Sequence, residues 1–201
     1  MKIQVSLNQK SIKDAIKQLK NAKKQLQGEM LNEFYKKCYD YFVSQANFYL
    51  ISSGLGDLVI AEIQSSWEYI KLGNLLIEGQ PKVYKGIQIR NTAEKAVYVE
   101  FGVGIVGEGN KHPNAEQTDY QYNVPSDSKF PIDDAWRFQA YEDELDIPQK
   151  AIISHDYTSD GRMRILTRGT EGVWYAHKAL MDLRTQYRRI WEEIKIKYWG
   201  N

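Results

Sequence analysis

Apolar residues recur at steps of three and four along both ends of this 201-residue chain. That spacing is the pattern of a helix with one buried face. The N-terminal stripe consists of Ile12, Ala15, Ile16, Leu19, Ala22 and Leu26. The C-terminal stripe consists of Tyr175, Ala179, Leu180, Leu183, Tyr187, Ile190, Ile194 and Tyr198. The sequence therefore predicts one long amphipathic helix at each end of the chain, with all other elements between them in sequence.

The N-terminal helix is expected to begin at Ser11, whose hydroxyl suits an N-cap. It runs to about Leu50, as one helix or as two nearly continuous ones divided at Gly28. Lysines fill the polar positions of its first half and indicate a solvated face. "SSGLGD" (52–57) then predicts a glycine C-cap and a fresh start for a short helix through Ile63.

The middle of the chain changes to short β-prone pieces. Strands are predicted in 67–91, with turns at Gly73-Asn74 and at 79–81. The segment from Thr92 to Gly102 fits a short helix first and a strand second. Further strand candidates are "YQYNV", "AWRFQAY", "KAIISHDY" and "MRILT" within the irregular stretch 105–172.

This order of elements predicts one α+β domain over residues 1–201. It has a long N-terminal helical region (1–52), a small antiparallel sheet with long loops, and a long amphipathic C-terminal helix (173–199). Residues 105–172 are expected to form a loop-rich insertion.

Composition narrows the classes of protein that remain. The net charge of +1 gives no global field that favours nucleic acid or an anionic membrane. A single cysteine excludes an internal disulfide, and no apolar run reaches the roughly 18 residues of a membrane span. The N-terminus lacks the pattern of a secretory signal, so we expect synthesis in a reducing cytoplasm. Fourteen Tyr and five Trp favour protein interfaces.

The stretch "FGVGIVGEGN" (101–110) carries the glycine spacing of a dinucleotide-binding loop. That loop requires a strand before the first glycine and a helix opening at the last. Here the preceding segment suits a helix as well as it suits a strand, while Gly109 and Pro113 oppose a continuous helix that begins at Gly107. We therefore expect glycines with positive φ in a mobile loop beyond a helix end, and no bound nucleotide or other cofactor.

No constellation of catalytic or metal-binding residues stands out. His112, His155 and His177 have no ligand spacing to one another, and Cys38 lies on the apolar side of the first helix, so it is expected in the core. His112 is expected in a loop, where it caps backbone or lies in solvent. His177 is expected at an interface or the surface.

Two charged segments are candidates for contacts between subunits. The acidic one holds Glu142, Asp143 and Glu144, and it indicates a solvated loop or one that faces a basic neighbour. The basic one holds Arg184, Arg188 and Arg189 among aromatic residues of the last helix. Nucleic acid could also meet such a basic stripe, but nearby acidic residues dilute it.

The glycine segment with its flanks resembles the signature of the gene-product-ten-like family of phage neck and tail-completion proteins. The matching positions are Ala96, Tyr98, Val99, Glu100, Phe101, Gly102, Gly104, Ile105, Val106, Gly107, His112 and Pro113. A Thr-x-Gly turn at Thr167 to Gly169 and the last helix extend the resemblance over most of the chain. Val103 replaces the usual threonine, and Trp174-Tyr175 replaces a usual Pro-Phe pair.

The resemblance implies a structural, non-enzymatic virion protein made in the host cytoplasm: a ring-forming tail terminator or neck subunit, hexameric or dodecameric. Its implied partners are further copies of itself, the tail tube protein, head–tail connector proteins and, without sequence specificity, DNA in the lumen. A head-closure adaptor or minor capsid protein is the alternative, and a nucleotide-binding enzyme is a more distant one. The glycine loop is then expected to order against a neighbouring ring.

Overall fold

The computed structural model describes residues 9–75, 83–118, 120–122, 136–145 and 147–199. Its helices are α1 (Gln9–Ile51), α2 (Asp57–Ser65), α3 (Ala96–Phe101), α4 (Gly104–Gly109) and α5 (Tyr175–Trp199). Its strands are β1 (Trp67–Leu75), β2 (Val83–Asn91), β3 (Gly102–Val103), β4 (Trp136–Ala140), β5 (Ile152–Tyr157), β6 (Met163–Thr167) and β7 (Gly169–Glu171). Glu142–Glu144 and Gln149–Ala151 form single 3₁₀ turns. The α+β class with a long helix at each end is confirmed.

The N-terminal helix differs from the expectation in two places. Ser11 lies inside α1, so its assignment as the N-cap is wrong. Gly28 does not interrupt the helix, because the roughly 1 kcal/mol that a helical glycine costs is offset where neighbours such as Met30 are fully buried. Gly73-Asn74, predicted as a turn, continues β1. The turn expected at 79–81 lies outside the described residues.

The described residues fall into two compact units. One lies within Met1–Asp40, Tyr69–Gln88 and Thr185–Asn201, and the other within Tyr41–Glu68 and Ile89–Arg184. Both long helices contribute residues to each unit. The first unit contains most of α1, β1, β2 and α5, and the second contains the glycine segment.

Aromatic and charged contacts join α1 and α5 in the first unit. The Phe34 and Trp191 rings meet edge to face with centroids 5.4 Å apart. Glu33 accepts hydrogen bonds from Lys197 Nζ (2.7 Å) and Tyr198 OH (2.9 Å). The bond from Lys197 lowers the pKa of Glu33 against the opposing effect of burial. Ion pairs that are partly exposed in this way add little stability.

The second unit has a hydrophobic core built from both long helices, α2 and α3. Its fully or nearly fully buried members are Phe42, Ala46, Leu50, Leu55, Val59, Ile63, Ala93, Ala96, Val99, Tyr175 and Ala179. Trp67 packs edge to face on Phe42 and on Tyr175, at 5.5 and 6.0 Å between centroids. Its indole Nε1 donates to Asn47 Oδ1 at 3.0 Å, which satisfies the polar end of a half-buried ring.

Three small sheets complete the fold. β1 pairs with β2, β3 with β7, and β6 lies between β4 and β5 with antiparallel pairing to both. The three-stranded sheet covers a second core of Leu145, Ile147, Met163 and Ile165. The strands expected in "AWRFQAY", "KAIISHDY" and "MRILT" are confirmed. The described part of "YQYNV", residues 120–122, forms no strand and packs instead on the glycine segment.

Candidate functional site

The glycine segment makes a sharp passage from α3 to α4. Gly102 has φ 85° and ψ 177°, and Gly104 has φ 66°, so the predicted positive φ values are present. Between them, β3 pairs antiparallel with β7, and Gly104 bridges to Gly169. The loop expected here is wrong over residues 104–109, because Gly104–Gly109 form α4. The expected ordering of the segment against a neighbouring ring stays a prediction.

The glycines make room for the protein's own backbone. A Cβ on Gly102 would come within 2.5 Å of Gly172 N, and one on Gly107 within 2.9 Å of Tyr122 Cδ1. The backbone of β7 and the Tyr122 ring therefore lie directly against these two glycines. The glycine spacing thus serves close packing between two chain segments.

Glu100, the last charged residue of α3, joins three segments through one buried carboxylate. Only 7% of the residue is exposed. Its Oε1 accepts from His112 Nε2 and from the His177 backbone N–H, both at 2.9 Å, and its Oε2 accepts from the Ala176 N–H at 2.8 Å. Ala176 and His177 lie in the first turn of α5, where backbone N–H groups have no helical partner. The carboxylate therefore caps the last helix and is favourably placed against its dipole.

His112 is 3% exposed and has a defined tautomer. Its Nδ1 accepts from the Asn114 backbone N–H at 3.0 Å, so the ring proton lies on Nε2 and is donated to Glu100. The ring centroid lies 4.4 Å from that of Phe101. The His112 backbone N–H donates to Tyr122 OH at 2.8 Å. The expectation that this residue caps backbone is confirmed, and the alternative of a solvent position is wrong.

Trp174 provides the entry into α5 that the sequence left undefined. It has φ 56°, the single positive φ of a non-glycine residue in the described ranges. Its N–H donates to the Glu100 carbonyl oxygen at 3.2 Å, and the Val173 N–H donates to Val99 O at 2.8 Å. Tyr175 then turns into the core and donates to Ala96 O at 3.3 Å. Strain of about 1–3 kcal/mol at such a φ persists where the surroundings fix the backbone, as these bonds do.

His177 faces the same cluster from α5. Its ring centroid is 5.1 Å from that of His112. Burial, followed by the nearby His112, lowers the pKa of His177, although Glu100 opposes the shift. Its Nδ1 and the indole Nε1 of Trp174 are buried without a hydrogen-bond partner. The cluster favours a neutral His177 ring.

The solvent-facing side of α3 and α4 carries exposed apolar side chains. Val97 and Tyr98 are 49% and 51% exposed, and Val106 is 38% exposed. Ala96 and Val99, one residue away on either side of that pair, lie in the core. The segment therefore buries Ala96, Val99 and the carboxylate of Glu100, while Val97, Tyr98 and Val106 stay partly exposed to solvent.

The structure does not pair the two charged segments with each other. The 3₁₀ turn Glu142–Glu144 is exposed throughout, and Arg184 is exposed on α5. Arg188 Nε donates to the neighbouring tyrosine hydroxyl at 3.2 Å, and Arg189 pairs with Glu193 at 3.0 Å. Their roles in contacts between subunits remain predictions.

Among the described residues, the cysteine, the potential metal ligands and the remaining histidine lie outside this cluster or do not converge. Cys38 is buried, as expected, and burial raises the pKa of its thiol to about 11, which keeps it protonated near neutral pH. In the described ranges, no three His, Cys, Asp or Glu side chains converge as metal ligands would. His155 lies exposed on β5.

Several residues of the cluster were missed by sequence reasoning. Gly172, Trp174 and the two tyrosines Tyr120 and Tyr122 have no periodic or motif signal that joins them to the glycine segment. Tyr120 donates to Gly102 O at 2.6 Å, and burial raises its pKa to about 12. One signal in the sequence could have indicated the contact with β7: the Thr-x-Gly turn at Thr167 to Gly169, which is part of the family resemblance.

Comparison of the chain with protein-family models, curated proteins and solved structures finds no match. Within the described ranges, every helix is too short or too polar to cross a membrane.

Gly102→Ala is expected to lower the free energy of unfolding by at least about 1–3 kcal/mol. The substitution adds a Cβ where φ is 85° and where the β7 backbone lies in contact. Gly109→Ala is the matched control, since nothing lies within 4 Å of its added Cβ. Urea denaturation of both variants checks this, and equal midpoints would contradict the packing role of Gly102.

Glu100→Gln is expected to destabilise the protein by about 1–3 kcal/mol. The amide retains one acceptor oxygen for three donors, and its NH₂ group would face a buried N–H. Glu94→Gln, an exposed change just before α3, should stay within about 0.5 kcal/mol of the parent. Guanidinium denaturation measures both, and an unchanged Glu100→Gln midpoint would refute the capping role.

Proposed function

We propose that this chain is a structural virion protein of the phage head–tail junction, a ring-forming neck or tail-terminator subunit. It caps the tail tube and joins it to the head connector, and it transforms no substrate. One observation carries the proposal: in the segment that resembles the family's signature, Glu100 and His112 are buried and bind each other and backbone N–H groups, while large apolar side chains of the same segment are exposed.

The inward groups are poorly suited to catalysis. A general acid or base must come within hydrogen-bond reach of a substrate proton. Glu100 and His112 are 7% and 3% exposed, and they bind each other and backbone N–H groups. Their arrangement supports a rigid joint between α3 and α5.

The outward groups suit contacts between subunits. Val97, Tyr98 and Val106 are large apolar side chains held on a rigid base. Ile153 and Tyr157 on β5 are likewise 55% and 57% exposed. Tyr is enriched in the buried centres of interfaces, and a ring requires two different complementary faces on each subunit.

Position in the particle distinguishes the proposal from its alternatives. A terminator would bind the last ring of the tail tube protein, whereas a head-closure adaptor or minor capsid protein would bind on the portal side. Contact with DNA would follow only for residues that line the lumen. A nucleotide-dependent enzyme would retain or turn over a nucleotide, whereas β7 and Tyr122 pack directly against the glycine segment.

The purified chain is expected to form closed rings of a single stoichiometry, seen by native mass spectrometry and negative-stain microscopy. Tyr98→Asp should reduce the ring fraction at least tenfold, because it places a charge on an apolar contact surface. Glu108→Ala, an exposed change on α4, is the control and should assemble normally.

Both variants should unfold within about 0.5 kcal/mol of the parent, since their side chains are exposed. A chain that stays monomeric at high micromolar concentration, alone and with tail tube protein, would contradict the proposed function. So would tight retention or turnover of a nucleotide by the purified protein.

A further inference from the structure

The first half of α1 is an exposed helix whose charge is almost entirely positive. Between residues 13 and 24 it carries five lysines and a single acidic residue, Asp14. The lysines are all exposed: Lys13, Lys17, Lys20, Lys23 and Lys24. None of them forms an ion pair with the described residues. We call residues 13–24 the basic arm.

The basic arm also exposes apolar side chains between its lysines. Ile16 and Leu19, one helical turn apart, are 47% and 55% exposed. Phosphate groups would neutralise the lysines but would leave these two side chains in water. A protein surface that is acidic and partly apolar would pair with the lysines and would also bury Ile16 and Leu19.

Such a surface exists in the second unit. An open groove of about 540 Å³ lies between the α1–α2 connection (54–57), the segment Tyr141–Asp143 and Gly161. Asp57, Glu142 and Asp143 line it, and Tyr141 contributes a ring that is 45% exposed. We call it the acidic groove.

Backbone contacts join the two walls of the acidic groove. The Gly56 N–H donates to Leu145 O at 2.9 Å, and a Cβ on Gly56 would lie 2.5 Å from Asp143 O. The two walls therefore touch through their backbones. Leu58, in the first turn of α2, is 53% exposed beside Asp57.

The charges of the groove decide which occupant fits it. Its charged lining residues, Asp57, Glu142 and Asp143, are all acidic, so a basic segment with some apolar surface is its complement. The basic arm has both properties, and the proposed function supplies further copies of it.

We propose that the basic arm of one copy docks in the acidic groove of the next copy. The contact joins two different surfaces, so its repetition from copy to copy generates a ring if the rotation closes. This inference rests on the proposed function, which supplies the ring. The lysines of the arm form ion pairs with the carboxylates of Asp57, Glu142 and Asp143. The apolar side chains of Ile16 and Leu19 pack against Tyr141 and Leu58.

Charge reversal on each side tests the pairing. The arm variant is Lys17→Glu with Lys20→Glu, and the groove variant is Glu142→Lys with Asp143→Lys. Each alone should weaken assembly at least tenfold, because like charges then face each other. An equimolar mixture should assemble again, since the acidic arm fits the basic groove and the basic arm fits the unchanged groove.

Sedimentation velocity at 50 and 500 mM NaCl measures the assembled fraction of each variant. Lys150→Glu, an exposed change on the 3₁₀ turn Gln149–Ala151, is the control and should assemble like the parent. Weaker assembly of the parent at high salt is expected, because exposed charge pairs are screened. Thermal unfolding followed by circular dichroism verifies that all variants fold.

The outcomes separate this inference from the proposed function. Rings that form normally from both reversed variants overturn the arm-and-groove contact and leave the ring function standing. A parent chain that never assembles overturns both. If arm reversal abolishes binding to a DNA duplex while rings persist, the lysines serve nucleic acid and the inference is wrong.

Discussion

The buried carboxylate of Glu100 is the interaction on which the second unit depends. It accepts hydrogen bonds from a histidine twelve residues away and from two backbone N–H groups more than seventy residues away. A carboxylate removed from water is costly unless its oxygens are satisfied. Here the three donors satisfy it, and the same bonds fix α3, the turn at His112 and the start of α5 relative to one another.

The glycines follow from that constraint. With α5 tied to α3, the strand β7 that precedes it must lie against the backbone after Phe101, and side chains at Gly102 or Gly172 would prevent this approach. The outer surface carries exposed apolar side chains and separate basic and acidic segments. This division of roles supports a protein that works through contacts with other subunits.

Apolar periodicity was sufficient to predict the two long helices, because the spacing reflects which helix face is buried, and β-prone composition predicted most strands. The wrong expectations have local physical causes. Gly28 remains helical because packing outweighs its propensity, and the segment after Gly102 is ordered by β7, a pairing that no local pattern encodes. Trp174 adopts a positive φ because bonds to α3 hold it, whereas the sequence indicates only that the usual Pro-Phe pair is missing.

Amide hydrogen exchange at Ala176 and His177, followed by NMR, tests the Glu100 cap most directly. First-turn amides of a helix without a capping side chain, such as Leu58 and Val59 of α2, should exchange rapidly. Capping by Glu100 predicts that Ala176 and His177 are protected as strongly as Ala179 in the helix interior. Exchange at these two amides as fast as at the start of α2 would contradict the account.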